Sequence, residues 1–352
     1  MPKQTSVLLI YTGGTIGMIQ DIKTGQLRPF DFAHLTEQIP ELKKFDIRLS
    51  AISFDKPIDS SDMSPDVWLK IAKIIESNYS RHDGFVILHG SDTMAFTASA
   101  LSFMLQNLQK PVILTGSQLP IGIIRTDGKE NLITAIEIAA AKHKGKPVVQ
   151  EVCIYFEYRL YRGNRTHKVN AEHFNAFQSP NYPVLAEAGV HLNYNSAALF
   201  RPAKSKLKIF TSLNADIAIL KLFPGITPNA VNAILNTKAL KAVILETFGA
   251  GNCSTQAWFL DALKSAAKKG ILILNITQCN AGSVEQGKYE TSAGLESIGV
   301  ISGADMTTEA AVAKLMFVLG NFKTAKEIRK QMKVSLRGEM TLAADRFKSK
   351  EF

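Results

Sequence analysis

The chain has 352 residues, 46% of them hydrophobic and 20% charged, with a formal net charge of +10. This length gives room for two ordinary domains with a sizeable core, and no apolar run reaches membrane length. The basic residues are dispersed, with only short clusters such as Lys142-His143-Lys144-Gly145-Lys146, so a solvated basic surface is expected rather than a nucleic-acid or membrane partner.

Met1 to Ser6 lack the long apolar core and cleavage site of a secretory signal, and the apolar residues begin at Val7, so a cytoplasmic location is expected. The run Val7 to Tyr11 reads as a buried parallel strand. It leads directly into Thr12-Gly13-Gly14-Thr15-Ile16-Gly17. Open parallel sheets bind ligands at the C-terminal ends of their strands, and glycine lets the backbone turn sharply and come close to a ligand. No lysine follows in the phosphate-loop pattern, and the spacing is not the dinucleotide one. Thr15 is therefore a candidate nucleophile, which would need a base and an oxyanion site. A plain tight turn explains the loop equally well.

Asp59-Ser60-Ser61-Asp62-Met63 comes next. It is either a capped loop or a set of hydroxyls and N–H groups able to hold a carboxylate. Ser64 is expected as an N-cap, with Pro65 opening a helix. The strand Gly84 to Leu88 runs into His89-Gly90-Ser91-Asp92-Thr93, which puts hydroxyls and a carboxylate at a second strand end. Ser91 or Asp92 could instead cap the following helix, read from about Met94 to Leu108. His89 reads as a packed strand-end histidine rather than a base. A strand from Pro111 to Leu114, a helix from Gly128 to about Ala141 and a strand from Val152 to Phe156 come after it. Tyr161-Arg162-Gly163-Asn164-Arg165-Thr166-His167-Lys168 is either a solvated loop or the source of a lysine base. Desolvation would lower the pKa of such a lysine and a nearby aspartate would raise it.

Regularity fails between Ser179 and Thr211, where Pro180, Pro183, Pro202 and a basic run suggest an inter-domain linker. Alternation then resumes with strands Ile217 to Leu220, Ala242 to Glu246 and Ile271 to Asn275. Helices fall near Asn229 to Leu235, Thr255 to Lys268, Thr308 to Leu319 and Thr324 to Met332. The expected fold is α/β in two domains, a larger N-terminal Rossmann-like sheet and a smaller C-terminal flavodoxin-like parallel sheet. The domains are drawn at 1–190 and 214–352, with 191–213 as linker. Cys153, Cys253 and Cys279 have no metal-ligand spacing and suit a reducing compartment. No HExxH or comparable metal pattern occurs.

Together, the loops bearing Thr15, Ser60-Ser61, Ser91-Asp92 and Lys168 resemble those of the bacterial type I (cytoplasmic) L-asparaginases. The matching stretches are YTGGTIGM from Tyr11, DSSDM from Asp59, DGFVILHGSDTMAFTASALSFML from Asp83, the GKxNL pattern from Gly128 and LYRGNRTHK from Leu160, with ITQCNAG from Ile276 and GADMT from Gly303 in the second domain. The resemblance runs in order over nearly the whole chain. It implies hydrolysis of L-asparagine to L-aspartate and ammonia with no cofactor. It makes Thr15 the nucleophile that forms a β-aspartyl ester, and Ser91, Asp92 and Lys168 a second hydroxyl–carboxylate–lysine set. Asp59, Ser60 and Ser61 would hold the substrate carboxylate, Asp92 the α-ammonium, and Ser117 would lie where the backbone meets the side-chain amide. It also implies a homo-oligomer, a dimer or a dimer of dimers. Broader glutaminase-asparaginase activity, or a non-catalytic asparagine sensor, are the alternatives.

The chain departs from the family pattern in three ways. Ser91 stands where threonine is usual. Leu27 stands where many relatives carry a lid tyrosine, and Tyr289 matches a tyrosine that some relatives present from a neighbouring subunit. At the second, allosteric asparagine site of some type I enzymes, Cys279 matches, but Glu246 replaces an arginine and His167 a threonine. Losing that cation removes a partner for a carboxylate, so such regulation is expected to be weak or absent.

Overall fold

The computed structural model describes residues 4–20, 27–29, 39–285 and 290–342, and it divides into two compact units, Met1–Thr211 and Ser212–Phe352. Among the described residues, the first unit holds an eight-stranded sheet made of β1 (Thr5–Tyr11), β2 (Ile47–Ser53), β3 (Gly84–Leu88), β4 (Val112–Thr115), β5 (Val152–Phe156), β6 (Arg159–Arg162), β7 (Ala186–Ala188) and β8 (Leu192–Tyr194). Their spatial order is β8-β7-β6-β5-β4-β3-β1-β2. From β2 to β5 all pairings are parallel, and from β5 to β8 they are antiparallel. β1, β3 and β5 are central and covered on both faces, which is why they read as continuous apolar runs. β2 is an edge strand whose sequence IRLSAIS alternates between half-buried and exposed, so it lacks that signal.

Helices α1 (Pro65–Asn78), α2 (Met94–Met104) and α3 (Gly128–Ala140) belong to this unit. α1 begins as expected at Ser64 and Pro65, although the Ser64 side chain makes no capping bond. α2 is shorter than its apolar spacing suggests. The chain leaves helical geometry at Leu105, and Leu105–Gln106 pairs instead with Lys208–Ile209.

The stretch 191–213, expected as linker, contributes β8 to the sheet. Antiparallel pairing of Ala186 with Tyr194 fixes its register. A buried ion pair anchors the chain beyond β8. Arg162 Nε lies 2.7 Å from Glu151 Oε2, Arg162 Nη2 donates to the Ala198 carbonyl, and Phe200 N donates to Glu151 Oε1. Leaving either charge unpaired there would be costly, so irregular sequence is tied to the sheet by its polar anchors.

The second unit has a four-stranded, all-parallel sheet in the order β9-β10-β11-β12, formed by Ile217–Lys221, Ala242–Thr247, Leu272–Thr277 and Ile301–Ser302. Its helices are α4 (Pro228–Leu235), α5 (Ala257–Lys268), α6 (Glu290–Ile298), α7 (Thr308–Asn321) and α8 (Ala325–Met332). Thr227 and Thr307 cap α4 and α7, and Thr324 with Glu327 forms a capping box on α8. The chain is thus α/β with a larger mixed sheet and a smaller parallel one. No helix among the described residues is long and apolar enough to cross a membrane.

Candidate active site

The loops after β1, β3 and β4 meet at the C-terminal end of the first sheet. Backbone bonds set their spacing: Thr12 N donates to Leu88 O (3.1 Å), Ile58 N to Thr12 O (2.8 Å) and His89 N to Thr115 O (3.0 Å). Glycine closes the remaining gaps. Gly14 has φ +86°, and a Cβ there would sit 2.4 Å from Gly90 N; a Cβ on Gly90 would sit 2.6 Å from Ser60 Oγ. Any side chain at either position would push the loops apart. Thr15 follows Gly14 and opens a 3₁₀ turn, Thr15–Gly17. It is half-buried, and its hydroxyl makes no hydrogen bond to a described residue.

Ser91 and Asp92 do not cap α2. Thr93 occupies the N-cap position without a side-chain bond to the helix. Both residues turn instead toward Lys168, whose Nζ lies 2.8 Å from Ser91 Oγ and 2.6 Å from Asp92 Oδ1. The lysine side chain is 15% exposed and the aspartate 64%, so the pair has one closed and one open side. Lys168 reaches this position because α2 anchors its loop. A Cβ on Gly163 would meet Ala98 Cβ at 2.8 Å, and Asn164 Nδ2 donates to Ser102 Oγ at 3.1 Å. His167–Lys168 then pairs antiparallel with Phe177–Gln178. One helix therefore positions both members of the cluster.

Ser60 is buried beside Gly90, and its carbonyl accepts from Thr93 Oγ1 at 2.6 Å. Asp59 and Ser61 are exposed. The Ser61 N–H and hydroxyl bond the Asp59 carboxylate and hold its pKa below the usual range. Ser117 is buried, with its hydroxyl donating to Leu119 O at 2.6 Å.

Sequence reasoning did not single out Gln118, Asp127 or Asn131. Gln118 Oε1 accepts from Ser91 Oγ at 3.3 Å, while its Nε2 donates to Ala171 O and His173 O beyond Lys168. Asp127 accepts from the N–H groups of Gln118 and Leu119, and Asn131 donates to Gly116 O. Burial raises the Asp127 pKa against those N–H bonds. The Gly128-Lys129-Glu130-Asn131-Leu132 stretch was the available signal.

Leu27 lies in a short strand, Leu27–Pro29, antiparallel to Met18–Gln20; its side chain, like Tyr289, lies outside the described residues. In the second unit Glu246 is buried at the end of β10, accepts from Thr308 Oγ1 at 2.7 Å and lies 3.5 Å from Lys221 Nζ. Cys279 is exposed, with its N–H donating to Thr277 Oγ1. His167 belongs to the first unit, so these three residues form no cluster within one unit.

Comparison with known proteins agrees over nearly the whole chain. Residues 6–199 match the family described as Asparaginase, N-terminal, and residues 216–332 match the Glutaminase/Asparaginase C-terminal domain. L-asparaginase 1 of Escherichia coli (strain K12) is 42% identical over 347 residues, covering 96% of this chain and 99% of that protein. The 60 kDa lysophospholipase of Mus musculus is 42% identical over 367 residues, covering 98% of this chain and 64% of that longer protein. The crystal structure of L-asparaginase I from Vibrio cholerae superposes with a TM-score of 0.88 at 40% identity, covering 97% of this chain and 100% of that one. The chain belongs to the asparaginase family.

Proposed function

We infer that the chain hydrolyses L-asparagine to L-aspartate and ammonia through an acyl-enzyme on Thr15. Family membership supports the reaction class, and one observation carries the assignment of its machinery. Lys168 is bonded to both Ser91 and Asp92, and Gly90, just before Ser91, abuts Gly14, just before Thr15.

In this reading Thr15 Oγ attacks the side-chain amide carbon and its proton leaves to a base. The carbonyl electron pair moves onto oxygen. On collapse the C–N bond breaks, ammonia departs after taking up a proton, and a β-aspartyl ester remains. Water then attacks the ester, returning the proton to Thr15 and releasing aspartate. Ser91, hydrogen-bonded to Lys168, would pass protons in both halves. Lys168 as an ammonium is a donor and as a neutral amine an acceptor.

Asp92, whose side chain is 64% exposed, would meet the α-ammonium. Asp59, Ser60 and Ser61 would hold the α-carboxylate, with Ser117 beside the side-chain amide. Tyr289 from a neighbouring subunit would assist Thr15 where Leu27 replaces a tyrosine, which makes a homo-oligomer part of the proposal. A cytoplasmic location fits the same reading. With Glu246 in place of a cation, allosteric asparagine binding near Cys279 would be weak or absent, and the saturation curve close to hyperbolic.

The test is ammonia release from asparagine and from glutamine by the native chain, Thr15→Ala and Ser91→Ala. Asparagine turnover is expected, falling by about 10⁴-fold in Thr15→Ala and less steeply in Ser91→Ala. Near-native turnover by Thr15→Ala overturns the nucleophile assignment. Comparable glutamine turnover favours the broader amidohydrolase, and asparagine binding without any ammonia release favours a sensor.

A further inference from the structure

His89 is fully buried between the end of β3 and α2. Its Nδ1 lies 2.6 Å from the Gly90 carbonyl oxygen and its Nε2 lies 2.9 Å from Thr97 Oγ1. A carbonyl oxygen only accepts, so Nδ1 carries the proton. The other end agrees. Trp68 Nε1–H, a donor only, gives its proton to Thr97 Oγ1 at 2.9 Å, which leaves the Thr97 hydroxyl proton for Nε2. The relay Trp68, Thr97, His89, Gly90 therefore runs in one direction and selects one tautomer. Burial lowers the histidine pKa to about 4, so the ring is neutral at ordinary pH.

The carbonyl of Gly90 and the N–H of Ser91 share one peptide plane. The bond is trans, and in a trans peptide these two groups point in opposite directions. Holding the carbonyl against the buried histidine aims the Ser91 N–H away from it. That N–H has no acceptor among the described residues, and its loop is the one against which Gly14 packs.

We propose that His89 is a positioning residue which, through its Nδ1–H, turns the Gly90–Ser91 peptide so that the Ser91 N–H faces the reacting amide as a donor to the developing oxyanion. This rests on the reading of Thr15 as nucleophile. Preorganised donors of this kind are among the larger contributions to acyl transfer, worth about 10²–10³ in kcat when lost outright.

Two replacements of His89 separate positioning from packing. Asn carries an N–H where Nδ1 sits, whereas Gln carries it where Nε2 sits and is closer to histidine in volume. Positioning predicts that His89→Asn keeps kcat for asparagine within about fivefold of native, while His89→Gln loses at least ~10-fold in kcat with KM little changed. Packing alone predicts the reverse order. Thr97→Val keeps the shape and removes the relay hydroxyl, so kcat of the folded fraction is expected to fall several-fold, while the stranded Trp68 N–H lowers stability by about 1–3 kcal/mol. Equal or better activity in His89→Gln than in His89→Asn, or native kcat in Thr97→Val, overturns the proposal. Activity retained by Thr15→Ala would instead remove the nucleophile reading, while the order of the two His89 variants would still report on the histidine.

Discussion

Two lysine–carboxylate pairs of equal length lie in opposite surroundings in the two units. Lys168 and Asp92 meet at 2.6 Å, as do Lys314 and Glu339. In the second unit both partners are fully buried and backbone groups complete their shell. Lys314 Nζ also donates to the Val334 carbonyl at 2.6 Å, and Glu339 accepts from the N–H groups of Leu336 and Arg337. That pair ties the segment after α8 to α7. In the first unit the lysine shares itself between a carboxylate and the Ser91 hydroxyl, and the carboxylate is 64% exposed. The difference lies in what surrounds the ions. A closed shell fixes a chain segment, and a shell left open on one side can take a substrate.

If that contrast holds, neutralising the two lysines gives opposite phenotypes. Lys168→Met is expected to lower kcat/KM for asparagine by roughly 10²–10⁴, the usual scale for a lost proton-transfer group, with little change in thermal stability. A stability loss matching the activity loss would break the contrast. Lys314→Met is expected to cost about 3–5 kcal/mol of stability in a denaturant titration, because it strands a buried carboxylate. The fraction that remains folded should turn over at the native rate.

Acid should separate the units next. Burial lowers the His89 pKa from 6.5 to about 4. The unfolded chain then binds a proton that the folded chain refuses, and stability falls as pH drops from about 6.5 toward 4, by roughly 1 kcal/mol at pH 5.5. Burial would raise the Glu339 pKa, but the Lys314 ammonium and two N–H groups outweigh it and hold the carboxyl below its ordinary value of 4.5. Its contribution is complete above 4.5 and is lost only as pH falls through the lowered value. Amide exchange at pH 5.5 should therefore loosen around His89 in the first unit while the Lys314–Glu339 region keeps its protection. Simultaneous loosening contradicts this. The smallest effect is expected from Ser91→Thr, which keeps the hydroxyl and adds a methyl that stiffens χ1; its kcat should stay within a few-fold of native.

Much of this was legible in the sequence because parallel strands covered on both faces are written as apolar runs. Val7 to Tyr11 and Gly84 to Leu88 show where strands end, and the loops after them carry the polar residues. β2 was not legible because half its side chains face solvent, and β8 was hidden in proline-rich sequence that the Arg162–Glu151 pair holds to the sheet. The encounter of Lys168 with Ser91, 77 residues apart, rests on the packing of the Gly163 loop against α2, which no local pattern encodes. The family resemblance supplied it. The histidine reading was right about packing but missed direction. Only the geometry of Trp68 and Thr97 shows which nitrogen bears the proton.

The most direct test of the central claim, that a Thr15 ester lies on the path, is partitioning with hydroxylamine. The native chain is given asparagine and, separately, aspartate β-methyl ester, and the ratio of aspartyl hydroxamate to aspartate is measured. A common acyl-enzyme predicts the same ratio from both substrates, with both products lost in Thr15→Ala. A ratio that changes with the leaving group would mean that water attacks the substrate directly, and would contradict the account.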